Sequence, residues 1–356
     1  MSRDKPTMQE AIKEIEKEVG DKVIYSGNAL HNRKMARTST GIFALDLLTG
    51  GGIPEGRITI FQGAKGSTKT STALRTAGIY LRCNPTKHAL YVDFEQTYEI
   101  KWTKHFIDDF DRWHVATPAY SEMGIDIVST AMKSDDLGFI IIDSLAQMVP
   151  MIDGKRKAID GEMRGYIARP VTMLIRKMVP ILADRIRFNK GITVILINQQ
   201  RMNVDGRKFS PETKKPGGVH QDFACTLDIR FSGPVLKYKV HGIPAAKTQH
   251  YFTVEKNKLG LHKRSGEFII NLLGTEESQP GEIEDMETII TYARRSNVLA
   301  RVGNTWVWHN HIFKNLDQVR AHLVDKLELK KMNDETLDAC LGNILLTVTD
   351  KERDAK

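Results

Sequence analysis

Lys69 and Thr70 close the stretch Gly63-Ala64-Lys65-Gly66-Ser67-Thr68-Lys69-Thr70. It follows a β-rich run (Arg57-Ile58-Thr59-Ile60-Phe61-Gln62) and leads into a helical pattern, Ser71-Thr72-Ala73-Leu74-Arg75-Thr76-Ala77. Strand, glycine-bearing loop and helix in that order make a phosphate-binding P-loop. Backbone N–H groups and the helix N-terminus face the anion, a lysine reaches the β and γ oxygens, and a hydroxyl holds Mg²⁺. Lys69 and Thr70 take the last two roles, within a cradle running from Gly63 to Ser71. The glycine usual before the lysine is replaced by Thr68, so a chance or degenerate loop stands beside the nucleotide-binding reading.

Leu137-Gly138-Phe139-Ile140-Ile141-Ile142-Asp143-Ser144 is an apolar run ending in Asp, the pattern of a strand buried on both faces of a parallel sheet. An Asp at that position binds Mg²⁺ opposite the P-loop hydroxyl, or simply caps the next turn. Ala89-Leu90-Tyr91-Val92-Asp93-Phe94-Glu95 and Ile192-Thr193-Val194-Ile195-Leu196-Ile197-Asn198-Gln199 are two more apolar strands with polar ends. Ligands of open α/β sheets lie outside the carboxyl ends of the strands, so Lys69, Glu95, Asp143 and Gln199 describe one site. Glu95 suits the general base that orients or deprotonates an attacking water. Gln199 suits a sensor of the γ-phosphate, which makes the chain from Arg201 onward a switch.

The sequence of 356 residues is long enough for about two to three domains. Its 52 Lys+Arg against 44 Asp+Glu give a net charge of +8, which favours a polyanionic partner without requiring one. Cys83, Cys225 and Cys340 lack metal-ligand spacing and suit buried packing in a reducing compartment. No signal peptide and no apolar run of membrane-spanning length is present, so the expected location is the cytoplasm, with no membrane partner. Thr7-Met8-Gln9-Glu10 reads as a helix-capping box, followed by an apolar stripe at Met8, Ile12, Ile15 and Val19. Residues 201–218 have no sustained period and carry five cationic against two acidic side chains, a net +3; residues 151–169 carry five against three, a net +2. Basic, aperiodic loops of this kind either bind nucleic acid or are solvated faces.

Ser39-Thr40-Gly41 through Leu45-Asp46, Gly51-Gly52-Ile53-Pro54-Glu55-Gly56-Arg57, Tyr91 to Glu95, Ile142-Asp143-Ser144, Ile197 to Met202 and Val254-Glu255-Lys256-Asn257-Lys258 together resemble the bacterial RecA recombinase family, in family order, from about residue 8 to about residue 346. The divergence at Thr68 suggests a remote or phage-encoded relative, akin in role to the phage UvsX recombinases. The resemblance implies an α/β fold with a RecA-type P-loop ATPase core around a mainly parallel sheet. It implies an N-terminal polymerisation helix and strand (1–33, with the strand at Lys22-Val23-Ile24-Tyr25), the core (34–269), a small C-terminal α/β lobe (270–346) and a short mixed-charge tail (347–356). It makes Lys69, Thr70, Glu95, Asp143 and Gln199 the residues of ATP and Mg²⁺ chemistry, with Thr70 and Asp143 at the metal. Trp102 would then stack on adenine beside Glu99, and Lys256 and Lys258 would reach the neighbouring subunit's ATP. Bottom-up, that pair is two same-face lysines on a strand, more often solvated than catalytic.

The same resemblance makes 151–169 and 201–218 the DNA-binding loops. Lys155, Arg156, Lys157, Arg164 and Arg169 serve in the first; Arg201, Met202, Arg207, Lys208, Phe209, Lys214, Lys215, Gly217 and Gly218 serve in the second. Single-stranded DNA, homologous duplex DNA, further copies of the chain in a helical filament with ATP at subunit boundaries, and single-strand-binding and mediator proteins are the implied partners. Three features depart from the family pattern: Lys65 replaces an acidic residue, His220-Gln221 stands where a Lys-Phe pair is usual, and residues 350–356 carry three charges of each sign in place of an acidic tail. The function read from the sequence is ATP-dependent homologous pairing and strand exchange by a DNA-dependent ATPase. The alternatives are a hexameric helicase or branch-migration motor, and an ATP-switched non-catalytic filament module.

Overall fold

The computed structural model describes residues 6–20, 22, 24–27, 35–151, 167–202, 213–240, 243–274 and 278–353. The chain divides into two compact units, Met1–Ala36 and Arg37–Lys356. In the first, the helix Met8–Val19 begins at the expected capping box: Glu10 N–H donates to the Thr7 hydroxyl at 3.4 Å, and Thr7 N–H donates to the Glu10 carboxylate at 2.8 Å. None of its residues is buried, and Met8, Ile15 and Val19 present their apolar side chains to solvent. Within this single chain, Lys22, Ile24 and Tyr25 are not in a strand; a strand needs an edge to pair with.

The second unit is built on a nine-stranded sheet. Six strands are linked by five parallel pairings in the spatial order Trp113–Ala116, His88–Asp93, Leu137–Asp143, Thr193–Gln199, Ile58–Gly63 and Leu227–Phe231. Beyond Leu227–Phe231 the sheet continues antiparallel through Ile243–Asn257, which pairs with both Leu236–Val240 and Arg264–Asn271. The Leu137–Asp143 strand is buried at every position and Thr193–Gln199 at all but its last. That is why both read as continuous apolar runs: helices cover each face of a parallel sheet, and one core lies on either side.

A smaller core unites the helices Phe43–Thr49, Met286–Arg295, Leu316–Leu323 and the start of Lys326–Arg353 with the hairpin Thr305–Trp308/His311–Phe313, around Trp308, Phe313, Val319 and Leu323. Asp285, at the N-cap of Met286–Arg295, accepts the Phe43 N–H at 3.0 Å and so joins two of these helices. Trp306 packs against this core but is only half-buried, with the Arg294 and Arg301 guanidiniums 4.8 and 5.8 Å from its ring; Trp308, two residues on, fills the centre. The final helix continues past residue 346 to Arg353, so the lobe and the tail share one element.

The P-loop helix Lys69–Cys83 is pressed onto the segment that follows Trp102. A Cβ added at Gly78 would stand 2.0 Å from the Phe106 carbonyl oxygen. Gly78→Ala therefore forces backbone apart despite alanine's better helix propensity. The expected result is a loss of about 1–3 kcal/mol in urea unfolding, the range typical of overpacked sites.

Candidate active site

Five of the six parallel strand ends meet at one edge because their registers coincide: Gly63 pairs with Gln199 and with Phe231, and Asp93 pairs with Asp143. From this edge the P-loop turns into its helix, with Ala64, Lys65 and Gly66 exposed at the tip and Ser67 and Lys69 buried beneath. Lys69 curls back onto the loop, its Nζ donating to the carbonyls of Gly63 (3.1 Å) and Ala64 (2.7 Å) and to Ser67 Oγ (3.1 Å). Burial holds its pKa below the ordinary ammonium value, against the pull of the Asp143 and Glu95 charges. Thr68 takes φ 64°, the left-handed conformation that glycine adopts freely and a β-branched residue does not. A glycine here would relieve that strain, and Thr68 holds the turn in spite of it.

Asp143 is 4% exposed and accepts hydrogen bonds from Thr70 Oγ1 at 2.7 Å and from the Tyr91 hydroxyl at 2.9 Å. Burial pushes its carboxyl up to about 6, the Thr70 hydrogen bond opposes this, and the Glu95 charge adds to it. A buried carboxylate touching a hydroxyl, with no cation against it among the described side chains, is a hard-oxygen donor pair suited to Mg²⁺.

Glu95 is fixed from several sides. Ser144 Oγ donates to its Oε1 at 2.6 Å, and Gln199 Nε2 donates to the same oxygen. The turn that carries it is wound around buried Asp93, whose carboxylate accepts the N–H groups of Glu95 (2.9 Å), Thr97 (2.9 Å) and Tyr98 (2.8 Å). The structure thus unites Lys69, Thr70, Glu95, Asp143 and Gln199 as expected from the sequence. Trp102 lies against the P-loop helix, its Nε1 donating to Ser71 Oγ at 3.2 Å. Glu99 caps the short helix Ile100–Thr103, accepting from Lys101 N–H at 2.9 Å.

Lys256 and Lys258 are turned toward the helix His220–Ala224. Lys256 Nζ donates to the Asp222 carbonyl, and Lys258 Nζ to the Phe223 carbonyl at 2.9 Å. Of the basic-loop residues, Lys155, Arg156, Lys157, Arg164, Arg207, Lys208 and Phe209 lie outside the described residues. Arg169 is exposed in the first turn of the helix Ala168–Arg187, and Arg201–Met202 pairs with Thr213–Lys214 as a short antiparallel ladder.

Lys215 has a place that charge counting missed. Its Nζ donates to Asp228 Oδ2 at 2.5 Å and to Asp222 Oδ1 at 2.9 Å. Buried Asp228 accepts from Gln62 Nε2 at 2.6 Å, and Gln62 Oε1 accepts from Gln200 Nε2 at 2.9 Å. A continuous polar chain therefore runs from the residue after Gln199, past the foot of the P-loop, to the returning limb of the second basic loop. Burial pulls the Lys215 ammonium down, but the Asp228 and Asp222 carboxylates outweigh it and hold it above its ordinary value. Asn198 and fully buried Gln221 anchor the same limb: Asn198 Nδ2 donates to the Pro216 carbonyl and to Gln221 Oε1, and Gln221 Nε2 to the carbonyls of Pro216 and Gly218. Gln221 thus serves as an internal bracket for this limb.

A parallel α/β sheet with a P-loop, an oxygen-rich cation pocket and a braced glutamate at its carboxyl edge defines a P-loop nucleotide-binding protein. Residues 6–273 match the RecA N-terminal domain, and the chain belongs to the RecA family. Protein RecA of Campylobacter hominis is 29% identical over 99% of this chain and 97% of its own length. Protein RecA of Sulfurimonas denitrificans is 28% identical over 93% of this chain and 92% of its own. A solved RadB recombinase aligns with a TM-score of 0.48 at 20% identity, over 66% of this chain and 96% of that one.

Two outcomes follow from the electrostatics. Because Asp143 is raised, the neutral carboxyl favours the folded state. Its stabilising share is full below 3.8 and lost as pH climbs through about 6. Asp143→Asn is expected to stabilise the ligand-free protein at pH 7.5 by at most about 3 kcal/mol, seen as a higher thermal midpoint, and to flatten part of the pH dependence. Asp46, also pushed up to about 6 by burial, leaves a residual slope. Lys215→Met strands Asp228 as an unpaired buried charge and should cost about 3–5 kcal/mol in urea unfolding, most of it regained in Lys215→Met/Asp228→Asn. A loss under about 0.5 kcal/mol would make Lys215 an ordinary surface cation.

Proposed function

We propose that the chain is an ATP-dependent recombination protein that assembles on single-stranded DNA, pairs it with homologous duplex and exchanges strands, hydrolysing ATP in the process. The observation that carries the hydrolytic part is the Glu95 carboxylate, held by Ser144 and Gln199 at the edge that bears Lys69. The recombination part rests on membership of the RecA family across most of the chain and on the basic loops at 151–169 and 201–218.

The chemistry assigned to each residue follows from its present partners. Lys69 exchanges the Gly63 and Ala64 carbonyls for phosphate oxygens, an exchange favoured because a carbonyl dipole solvates an ammonium less well than an anion does. Thr70 and Asp143 would hold Mg²⁺, which supplies charge neutralisation on the β and γ phosphates. Glu95 accepts a proton from the water whose oxygen bonds to the γ-phosphorus, while the bond from that phosphorus to the bridging oxygen breaks and ADP departs with the electron pair. Gln199 has one amide to divide between Glu95 and an arriving γ-phosphate. Its state passes to Gln200 and the ladder at Arg201–Met202, the base of the second loop. Trp102, adjacent to Ser71, would flank the base of the nucleotide.

In this reading Lys155, Arg156, Lys157, Arg164 and Arg169 in one loop, with Arg201, Arg207, Lys208 and Lys214 in the other, neutralise DNA phosphates, while Met202 and Phe209 meet bases. Lys256 and Lys258 leave the carbonyls of the short helix to approach ATP bound by an adjoining copy, a cation supplied in trans.

The deciding experiment is joint-molecule formation between a single-stranded oligonucleotide and homologous supercoiled DNA, with ATP and Mg²⁺. Wild type should form homology-dependent product and Lys69→Ala should not. Glu95→Gln should retain ATP-dependent assembly on single strands while turnover falls about 10²–10⁴-fold. ATP hydrolysis with unwinding of a forked duplex and no joint molecules would replace this reading with a translocating motor.

A further inference from the structure

The C-terminal lobe gathers a second set of functional side chains, remote in sequence from the P-loop. His311 lies on the strand His311–Phe313, His322 in the last turn of the helix Leu316–Leu323, and Glu328 in the first turn of Lys326–Arg353. One donor atom from each lies within 4.8 Å of the other two, and His322 Nε2 stands 3.6 Å from Glu328 Oε2. His322 Nε2 is buried and makes no hydrogen bond.

We infer that His311, His322 and Glu328 form a binding site for a first-row divalent transition-metal ion, best matched by Zn²⁺, that pins these three elements together. Two imidazoles and a carboxylate are a borderline-soft donor set, favoured by zinc over Mg²⁺ or Ca²⁺, and they leave a fourth position for water. Bonds of about 2.0–2.2 Å place neighbouring donors of a tetrahedral ion roughly 3.4 Å apart, a spacing His322 and Glu328 already approach. The remaining closure falls to His311, which is exposed and opens the route by which an ion enters. The surroundings orient the ligands as metal sites require. Lys331 Nζ donates to Glu328 Oε1 at 2.5 Å, which leaves Oε2 toward His322. The His322 ring is wedged between Trp308 and Phe313, with centroids 5.9 and 5.4 Å away, and lies 4.4 Å from the ring of His311.

Packing of neutral imidazoles on these aromatics accounts for the position of the His322 ring but not for its buried Nε2, which aromatic carbon cannot satisfy. Glu328 Oε2, at 3.6 Å, stands just beyond hydrogen-bond reach of it, so the desolvation of this nitrogen is not offset. A cation at the centroid of the three donors satisfies it, and the carboxylate supplies the charge that keeps the cation there. The 11-residue and 6-residue spacings (311 to 322, 322 to 328) mean that one ion would close two short loops across the strand and both helices.

The test is isothermal titration of the chelator-treated full-length protein with ZnCl₂ at pH 7.5, for wild type, His311→Asn, Glu328→Gln and His114→Gln. The last variant controls for the other close histidine pair, His88 and His114, whose ring nitrogens lie 2.9 Å apart at the surface. One zinc per chain is expected, weakened about tenfold or more by His311→Asn and by Glu328→Gln and unaffected by His114→Gln. A zinc-dependent rise in thermal midpoint should appear in wild type and vanish in the first two variants, which also separates binding from misfolding. Co²⁺ should give the intense visible bands of a tetrahedral site. Absence of a stoichiometric site, or a site lost in His114→Gln and kept in the other two variants, overturns the assignment.

Discussion

The whole nucleotide edge hangs on the register of parallel strands. Side chains alternate faces along a strand, so a slip of one residue between Ile58–Gly63 and Thr193–Gln199 would carry Gln199 away from Glu95 and turn the apolar residues of one core into the other. The pairing of Asp93 with Asp143 does the same for the Glu95 turn: the Asp143 carbonyl accepts the Phe94 N–H at 2.7 Å, so the strand that supplies the metal-type carboxylate also shapes the loop that supplies the base. Hydrophobic burial on both faces enforces that alignment. The polar residues at the edge are carried by it.

Once aligned, those residues saturate one another. Lys69 is satisfied by loop carbonyls, Asp143 by Thr70 and Tyr91, Asp93 by three backbone N–H groups, and Glu95 by Ser144 and Gln199. In a dry edge an unpaired group is costly, so a folded site without ligand must find internal partners. The partners found here are weak where a phosphate or cation would be strong: a carbonyl for an ammonium, a hydroxyl for a carboxylate. The site is closed enough to fold and open enough to exchange.

Much of this edge was legible in the sequence, because a strand buried on both faces announces itself as an apolar run and its terminal polar residue stands out. Asp143 and Gln199 are such residues, Glu95 follows two residues past the end of such a strand, and the loop before Lys69 has a spacing that few other structures demand. Lys215, Asp228 and Gln62 were not legible. Their contact depends on which strand adjoins Ile58–Gly63, a fact of sheet order that no local pattern encodes, and composition alone counted Lys215 among the basic groups of a loop. Asp93 could have been noticed as an Asp whose side chain can close a turn on the residues just after it. Trp306 and Trp308 share one strand, and only the hairpin's position over the lobe core distinguishes the half-buried ring from the buried one.

The lysines at 256 and 258 carry a further consequence. Their ammonium groups rest on carbonyls of His220–Ala224, a five-residue helix that is bracketed at Gln221 and whose Phe223 is exposed. A helix so short has no cooperative reserve, and cations near its C-terminal end supply a share of what holds it. Drawing both lysines away uncaps that turn in the same act. Under the proposed reach toward an adjoining copy, extending these side chains would loosen the C-terminal turn of His220–Ala224, so the cost would fall on that turn and not on the lysines themselves.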